Sequence, residues 1–406
     1  MKQSKRESFA HRALTLALPI ALQNLLSSCA GLVDTAMVVG IGNVAIAGMG
    51  VAGRWTFLYS VVVFGLCSGS SALIAQFWGA KDARSIRRAF GVGSLFALII
   101  SVVYAVVSMT FPEHMMRVFT ADRALIETGA IYLRNVALWA PFFAATMIAA
   151  SALRSTEDVI TPLITSGLSV LLNTCFNYAL IYGKFGMPEL GIRGAAIATV
   201  LSMGICTVLT FVIAVRKKSV VFTHIRDIFS VDLAFARHYL TVTLPVLLNE
   251  LIWAVGTNIY IMVLARQGTE NYAGYTMYDA VQQLLFVFFI GMCHACSIIV
   301  GKTVGEGKPG EAYKLARKFS ILTPVLSVLC GAVLILIRNP VLSLLPIETE
   351  YARTVASNLL LLYGIWMPMR MIPYIMVVGI FRAGGDTKIG FYYDAFTVFG
   401  LGVPTV

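Results

Sequence analysis

Apolar runs long enough to span a bilayer recur along the whole chain, separated by short breaks that carry charges, glycine or proline. They predict eleven membrane helices, near residues 14–38, 46–77, 89–111, 126–152, 160–182, 194–215, 239–265, 272–300, 317–337, 353–380 and 389–406, the last one cut short. The longest charged connection is about 216–237, so no insertion is large enough for a soluble catalytic domain. Function must therefore sit among the helices, and the polar positions inside the apolar runs become the informative ones. The first run contains LPIALQNLLSSCAGLVDTAMVVG, residues 18–40, with Pro19, Gln23, Asn24 and Asp34 set among apolar neighbours. A carboxylate in mid-span costs about 2.5–3.5 kcal/mol on insertion scales, and such residues usually mark ion or proton paths.

The runs also repeat. PIALQNLL from Pro19 aligns with PVLLNELI from Pro245 at an offset of 226 residues, and Gly42, Gly48 and Gly79 meet Gly268, Gly274 and Gly305 at the same offset. ALRSTED, with Arg154 and Asp158, matches IFRAGGD, with Arg382 and Asp386, at 228. A repeat of six spans is even, so both copies enter the membrane in one orientation and are related by an axis along its normal. The expected fold is an all-α polytopic membrane protein, two six-helix bundles around a central cavity that opens to either side by rocking, an architecture that implies transport. Residues 1–215 would form the first lobe (helices 1–6), 216–237 a linker, and 238–406 the second lobe (helices 7–11). The repeat places a twelfth helix after Val406, so the expectation is a chain with its last helix missing.

Composition fits a membrane chain, with 58% hydrophobic and 13% charged residues. The net charge of +11 is topogenic before it is a nucleic-acid signal. With the N-terminus in the cytoplasm, the inside connections carry 21 Lys and Arg, including Lys2, Lys5, Arg6 and Arg12, against 7 outside. The first helix is too long for a signal-peptide core and lacks a small-residue cleavage site. All seven cysteines fall within spans and read as packing residues, not a disulfide framework.

Asp34 lies fifteen residues past Pro19, and its repeat mate is Tyr260, so the acid belongs to the first copy alone. Apolar surroundings penalise the charged form of a carboxylate, which suits Asp34 to exchanging a proton. Pro19 removes a backbone hydrogen bond and offers a bend point, so protonation can be tied to bending. In LLNTCFNYALIYG, Asn173 and Asn177 share one helix face at i, i+4 beside Tyr178; amides in hydrocarbon need partners, and an acid on a neighbouring helix is a natural one. In the second copy Glu250 adjoins Asn249, and Asp279 with Gln282 and Gln283 puts a polar stripe on the eighth helix, while Asp394 reads as interfacial. Gln23, Asn249, Tyr260, Gln282 and Gln283 are the candidate cavity residues. A lining mixing aromatic, methionine and acidic side chains suits bulky amphipathic cations. VGEGKPG around Lys308 lacks the spacing of a phosphate-binding loop, and no metalloprotease or hydrolase motif is visible, which leaves an ion gradient as the energy source and argues against an enzyme.

The chain resembles the multidrug and toxic compound extrusion (MATE) family over nearly its whole length. The residues that carry the likeness are PIALQNLLSSCAGLVDT, GAKDARSIRRAF, ALRSTEDVITPL, NYALIYGKFGMPELGIRGAAIATVLS and FRAGGDTKIG. The resemblance implies twelve helices in two lobes and antiport, cation entry exchanged for export of amphipathic, often cationic compounds. Asp34 matches the family's first-helix acid, linked in proton-coupled members to bending at the proline that Pro19 matches. Asn173 and Asn177 match polar fifth-helix positions, and Thr199 a sixth-helix hydroxyl. The sodium-coupled bacterial branch has a tenth-helix aspartate where this chain has Met371, and Glu250 stands closer to Pro245 than that branch's seventh-helix acid, which favours protons over sodium. The expectation is a monomeric exporter in a bacterial cytoplasmic membrane with H+ or Na+ as coupling ion, no other cofactor, no metal, and lipid and small amphiphiles as partners. The rival on the same plan is a flippase or exporter of lipid-linked or other anionic substrates, to which few basic residues within spans, Arg54, Arg134 and Arg370, lend support.

Overall fold

The computed structural model describes residues 9–40, 42–230, 232–345 and 349–405, all in helices, turns and loops, with no strand among them. Lys2, Lys5 and Arg6 of the basic N-terminal cluster lie outside the described residues. The first copy of the repeat comprises α1 (Phe9–Val39), α2 (Asn43–Gly79), α3 (Ala83–Thr110), a short α4 (Pro112–Arg117), α5 (Arg123–Val136), α6 (Trp139–Ser155), α7 (Ile160–Ile181) and α8 (Ile192–Arg216). After α9 (Ile225–Phe229) the second copy follows as α10 (Leu233–Arg266), α11 (Thr269–Gly305), α12 (Pro309–Ser343) and α13 (Glu350–Tyr374). A π-helical stretch, Ile375–Phe381, carries α13 into the loop at Arg382. The final expected span is α15 (Thr387–Ala395), preceded by the three-residue α14 (Arg382–Gly384) and continued by a second π-helical stretch, Phe396–Gly402.

Among the described residues nine helices are long and apolar enough to cross a membrane, and α5 with α6, bent by 51° at their junction, make a tenth. Helix starts follow from local chemistry. Asp82 accepts from Ser85 N at 3.0 Å and starts α3, Asp122 accepts from Ala124 N at 2.8 Å and starts α5, and Thr349 accepts from Ala352 N to start α13. Pro309 stands in the first turn of α12, where its missing N–H has no partner to lose.

Contacts group the chain into two compact units that do not part at 216–237. One comprises residues 9–22, 75–81 and the described part of 248–406; the other the described parts of 23–74 and 82–247. The reason lies in small residues. In the first unit a Cβ on Gly291 of α11 would meet Ala17 of α1; in the second a Cβ on Gly69 of α2 would meet Thr243 of α10. The opening helix of each copy thus packs its first turns on the second helix of the other copy. The repeat-related pair Gly79 and Gly305 does the same more tightly in the first unit, where a Cβ on either would collide with a backbone carbonyl of the facing helix, Lys302 O or Gln76 O. Within lipid such close packing of backbones, more than hydrophobic exclusion, holds helices together.

Within the second unit the segment between α8 and α10 packs on α3. Arg87 pairs with Asp227 at 2.8 Å and Arg88 with Asp232 at 2.5 Å, fastening α9 and the start of α10 to α3 in the second unit. Elsewhere in that unit Val38, Ala45, Ile181 and Ala195 form a buried cluster around the end of α1. The first unit buries Phe289, Leu360, Met367 and Met371 between α11, α12 and α13.

Candidate functional site

Asp34, near the end of α1 in the second unit, meets α7. Asn177 Nδ2 donates to Asp34 Oδ1 at 2.5 Å and to Asn173 Oδ1 at 3.1 Å. Asn173 Nδ2 donates to Thr199 Oγ1 on α8 at 3.4 Å, and that hydroxyl donates to Ala195 O. The i, i+4 spacing aligns the two amides on one helix face, so four residues of three helices form one polar ladder. Asn173 and Asn177 are buried and Asp34 is half-buried. Asn177 Oδ1 is buried with no hydrogen-bond partner among the described residues, an arrangement that costs about 1–3 kcal/mol for an acceptor. The ladder opens onto a cavity of about 330 Å³ whose wall includes Asp34, Asn173, Thr199, Tyr132, Trp139 and Met203.

Below the ladder in the same unit, Arg154 Nη1 donates to Gln23 Oε1 at 3.0 Å, and Gln23 Nε2 donates to Ser166 Oγ at 3.0 Å. The first unit holds the repeat of this network. Arg382 Nη2 donates to Asn249 Oδ1 at 2.8 Å, and Asn249 Nδ2 donates to Asp394 Oδ2 at 2.6 Å. The residues correspond one for one along the sequence, Gln23 to Asn249 at 226, and Arg154 to Arg382 and Ser166 to Asp394 at 228. The chemistry differs. Arg154 touches a neutral amide, whereas Arg382 also pairs with Glu250 at 2.7 Å, with both side chains largely buried. Intramembrane charges are found paired or against a polar wall, and the second copy meets that demand with Glu250 on the guanidinium and Asp394 on the Asn249 amide that the guanidinium also touches.

The structure thus brings Asp34, Asn173, Asn177 and Thr199 together, and places Glu250 and Asn249 in a second cluster. Asp394 is not a bystander at the interface: α15 carries it against the buried Asn249 amide. Gln23 reaches the cavity beneath Asp34, while Asn249 is held on both sides by Arg382 and Asp394. Asp279 accepts from Gln283 Nε2 one turn along α11 at 2.7 Å, and Gln282 Oε1 accepts from Tyr278 Oη. Tyr260, the mate of Asp34, donates to Val398 O at 3.3 Å, a backbone contact in place of the ladder. Pro19 sits inside an unbroken α1 and leaves the Thr15 carbonyl without its usual i+4 donor. Arg154, Arg382 and Ser166 were not legible as site residues from single motifs. The signal that finds them is the repeat itself, because each member of one network has its mate in the other.

Residues 19–179 and 245–406 match the MatE family profile, one match per repeat copy. The probable multidrug resistance protein NorM of Thermotoga maritima is 28% identical over 331 residues, covering 81% of this chain and 70% of the relative. The probable multidrug resistance protein YoeA of Bacillus subtilis is 27% identical over 411 residues, 99% of this chain and 87% of the relative. A solved outward-facing structure of a multidrug resistance MATE family transporter of the MOP superfamily superposes with a TM-score of 0.84 at 20% identity, over 100% of this chain and 90% of that one. Two family matches in register with the internal repeat, on a chain built of membrane-crossing helices, make this protein a member of the MatE family of multi-pass membrane transporters.

Proposed function

We propose that the protein exports amphipathic, often cationic compounds from a bacterial cell in exchange for protons, with Asp34 as the acid that takes up and releases the coupling proton. The observation that carries this reading is the bare Asn177 Oδ1 beside the Asp34 carboxylate. An ionised Asp34 can only accept, so it leaves that oxygen without a donor; a protonated Asp34 gains an O–H to offer to its amide neighbours. The two protonation states therefore favour different arrangements of the ladder, and an element with two arrangements biased by a proton is what coupling requires. Pro19, with its missing backbone bond, is the place on α1 that yields most easily when the ladder rearranges. The multidrug resistance relatives in Thermotoga and Bacillus support a drug-exporting role in the cytoplasmic membrane, and the Lys and Arg bias supports a cytoplasmic N-terminus. On this reading the protein works as a monomer and needs no cofactor beyond the ion.

The experiment places wild type and Asp34→Asn in proteoliposomes and follows efflux of a fluorescent cation under an imposed pH gradient, then under a sodium gradient. Asparagine mimics the protonated acid and cannot exchange, so pH-driven efflux is expected to vanish. Efflux driven by sodium alone, or surviving in Asp34→Asn, sinks the assignment.

A further inference from the structure

The two arginine networks share a frame but not a charge balance. The second copy answers Arg382 with Glu250 directly and with Asp394 through the Asn249 amide. The first copy keeps the arginine and has neither acid: Asn24 stands at the place of Glu250, at the offset of 226, and Ser166 at the place of Asp394, at 228. Arg154 is nonetheless buried, with 9% of its surface exposed. Among the described residues it makes no ion pair and a single hydrogen bond, from Nη1 to Gln23. Asp158, the acid four residues on, is taken up by Lys217 at 3.3 Å. Arg154 sits on α6, which packs on α7 and α8, the fifth and sixth spans of its own copy, so its want of a counter-charge does not depend on any helix beyond Val406.

A buried guanidinium left without an anion is costly, and arginines inside a membrane protein ordinarily have a partner that answers their charge. The groups that replace the two acids are both donors. The Asn24 side-chain amide is unengaged among the described residues, and Ser166 Oγ accepts from Gln23 while keeping its own proton to give. Four of the five N–H donors of Arg154 are unengaged as well. Asn24 is one methylene shorter than Glu250, which in the second copy reaches the guanidinium at 2.7 Å, so a gap the size of a carboxylate group is left at the equivalent place. The cavity that reaches Asp34 extends to this network, with Gln23, Ala150, Thr165 and Ser166 in its wall. We propose that the first copy binds a small monovalent inorganic anion of the halide class, chloride above all, between Arg154 and Asn24, where the second copy carries the Glu250 carboxylate. One negative charge matches the one cation, and a spherical ion accepts from guanidinium, amide and hydroxyl donors without demanding a fixed fork from them. The site goes beyond the proton-exchange reading and does not rest on it.

The test follows the melting temperature of the purified full chain in non-ionic detergent as chloride replaces gluconate at constant ionic strength. An anion that binds the folded state alone stabilises it with the logarithm of its concentration above Kd, so wild type is expected to gain about 3–5 °C when chloride reaches about a hundredfold its Kd. Arg154→Gln should show no rise specific to chloride. Asn24→Glu gives the first copy the carboxylate of the second; it should melt in gluconate near the temperature of wild type in chloride, and chloride should add nothing further. Broadening of the chloride NMR line reads binding directly, and the broadening caused by wild type should be lost in Asn24→Glu. A wild type indifferent to the exchange of anions, or an equal rise in Asn24→Glu, which marks a general salt effect, would overturn the proposal. If Arg154→Gln does not fold, wild type and Asn24→Glu decide the matter between them. No ion gradient or transported compound enters the measurement, so a failure here and a failure of Asp34-dependent transport are read separately.

Discussion

The paired networks make a sharp prediction about stability. Arg154 and Arg382 occupy equivalent places and each donates to an amide, yet only Arg382 answers a carboxylate, Glu250 at 2.7 Å, with side-chain exposures of 4% and 12%. Removing one partner of a buried pair leaves the other charge uncompensated and costs about 3–5 kcal/mol. Arg382→Gln should suffer that loss, with Asp394 close by to sharpen it. Arg154→Gln gives up one charge-assisted bond, about 1.5–3 kcal/mol, but also relieves a buried cation of its desolvation, so its net cost should stay near 1 kcal/mol. Adding Glu250→Gln to Arg382→Gln removes the stranded carboxylate and should restore about 2 kcal/mol or more, a coupling that a double-mutant cycle reads directly. At roughly 2 °C per kcal/mol for a long chain, Arg382→Gln should melt about 5 °C below Arg154→Gln in detergent, and the double variant should recover most of the gap. Equal melting temperatures for the two arginine variants, or a double variant no better than Arg382→Gln, would refute the claim that the second network is held by an ion pair and the first by a bond to a neutral amide.

Two further outcomes follow from the geometry. Gly305→Ala and Gly79→Ala each drive a Cβ into a facing carbonyl and should cost about 1–3 kcal/mol, seen as lost folded yield and a lower melting temperature, whereas Gly31→Ala, with nothing within 4 Å of the new atom, should be neutral or stabilising. Asp232 accepts from Phe235 N at 2.6 Å and pairs with Arg88, and these hold its carboxyl below the usual range. With the folded-state value depressed, its contribution is present above about pH 4 and fades as the pH falls through that value, so the stability gap between wild type and Asp232→Asn should close in acid and shrink in high salt; a gap unchanged at pH 3 would contradict this.

The helices were legible because in lipid every backbone polar group must be satisfied within the segment, and the apolar run that results is hard to miss. Their ends were less so. The expected start of α12 at 317 passed over the charged stretch from Lys308 to Lys314, although Pro309 and the residues after it already form the first turns. The bend between α5 and α6 falls at Ala137 and Leu138, four residues before Pro141, which cannot donate to the Ala137 carbonyl; the expected span 126–152 ran straight through this signal. The Asp34 ladder could be anticipated because an acid and two amides in hydrocarbon have few other ways to be satisfied. The Arg382 cluster could not: Arg382 counts as a loop charge in a topology argument, and only its burial at 3% exposure shows that it belongs to the interior.

The two copies keep one skeleton and divide the chemistry. The arginine just before the loop into α7 or α15, the amide four residues beyond the helix proline, and a partner on the following helix recur in both, so this part of the repeat fixes how these helix ends dock on the opening helix. Fifteen residues past each proline the copies diverge, to Asp34 in one and Tyr260 in the other. Asp34 sits in a ladder of amides on α7, while Tyr260 donates to the Val398 carbonyl. On the proposed proton-exchange reading, the asymmetry of this single residue pair confines the exchangeable acid to the first copy.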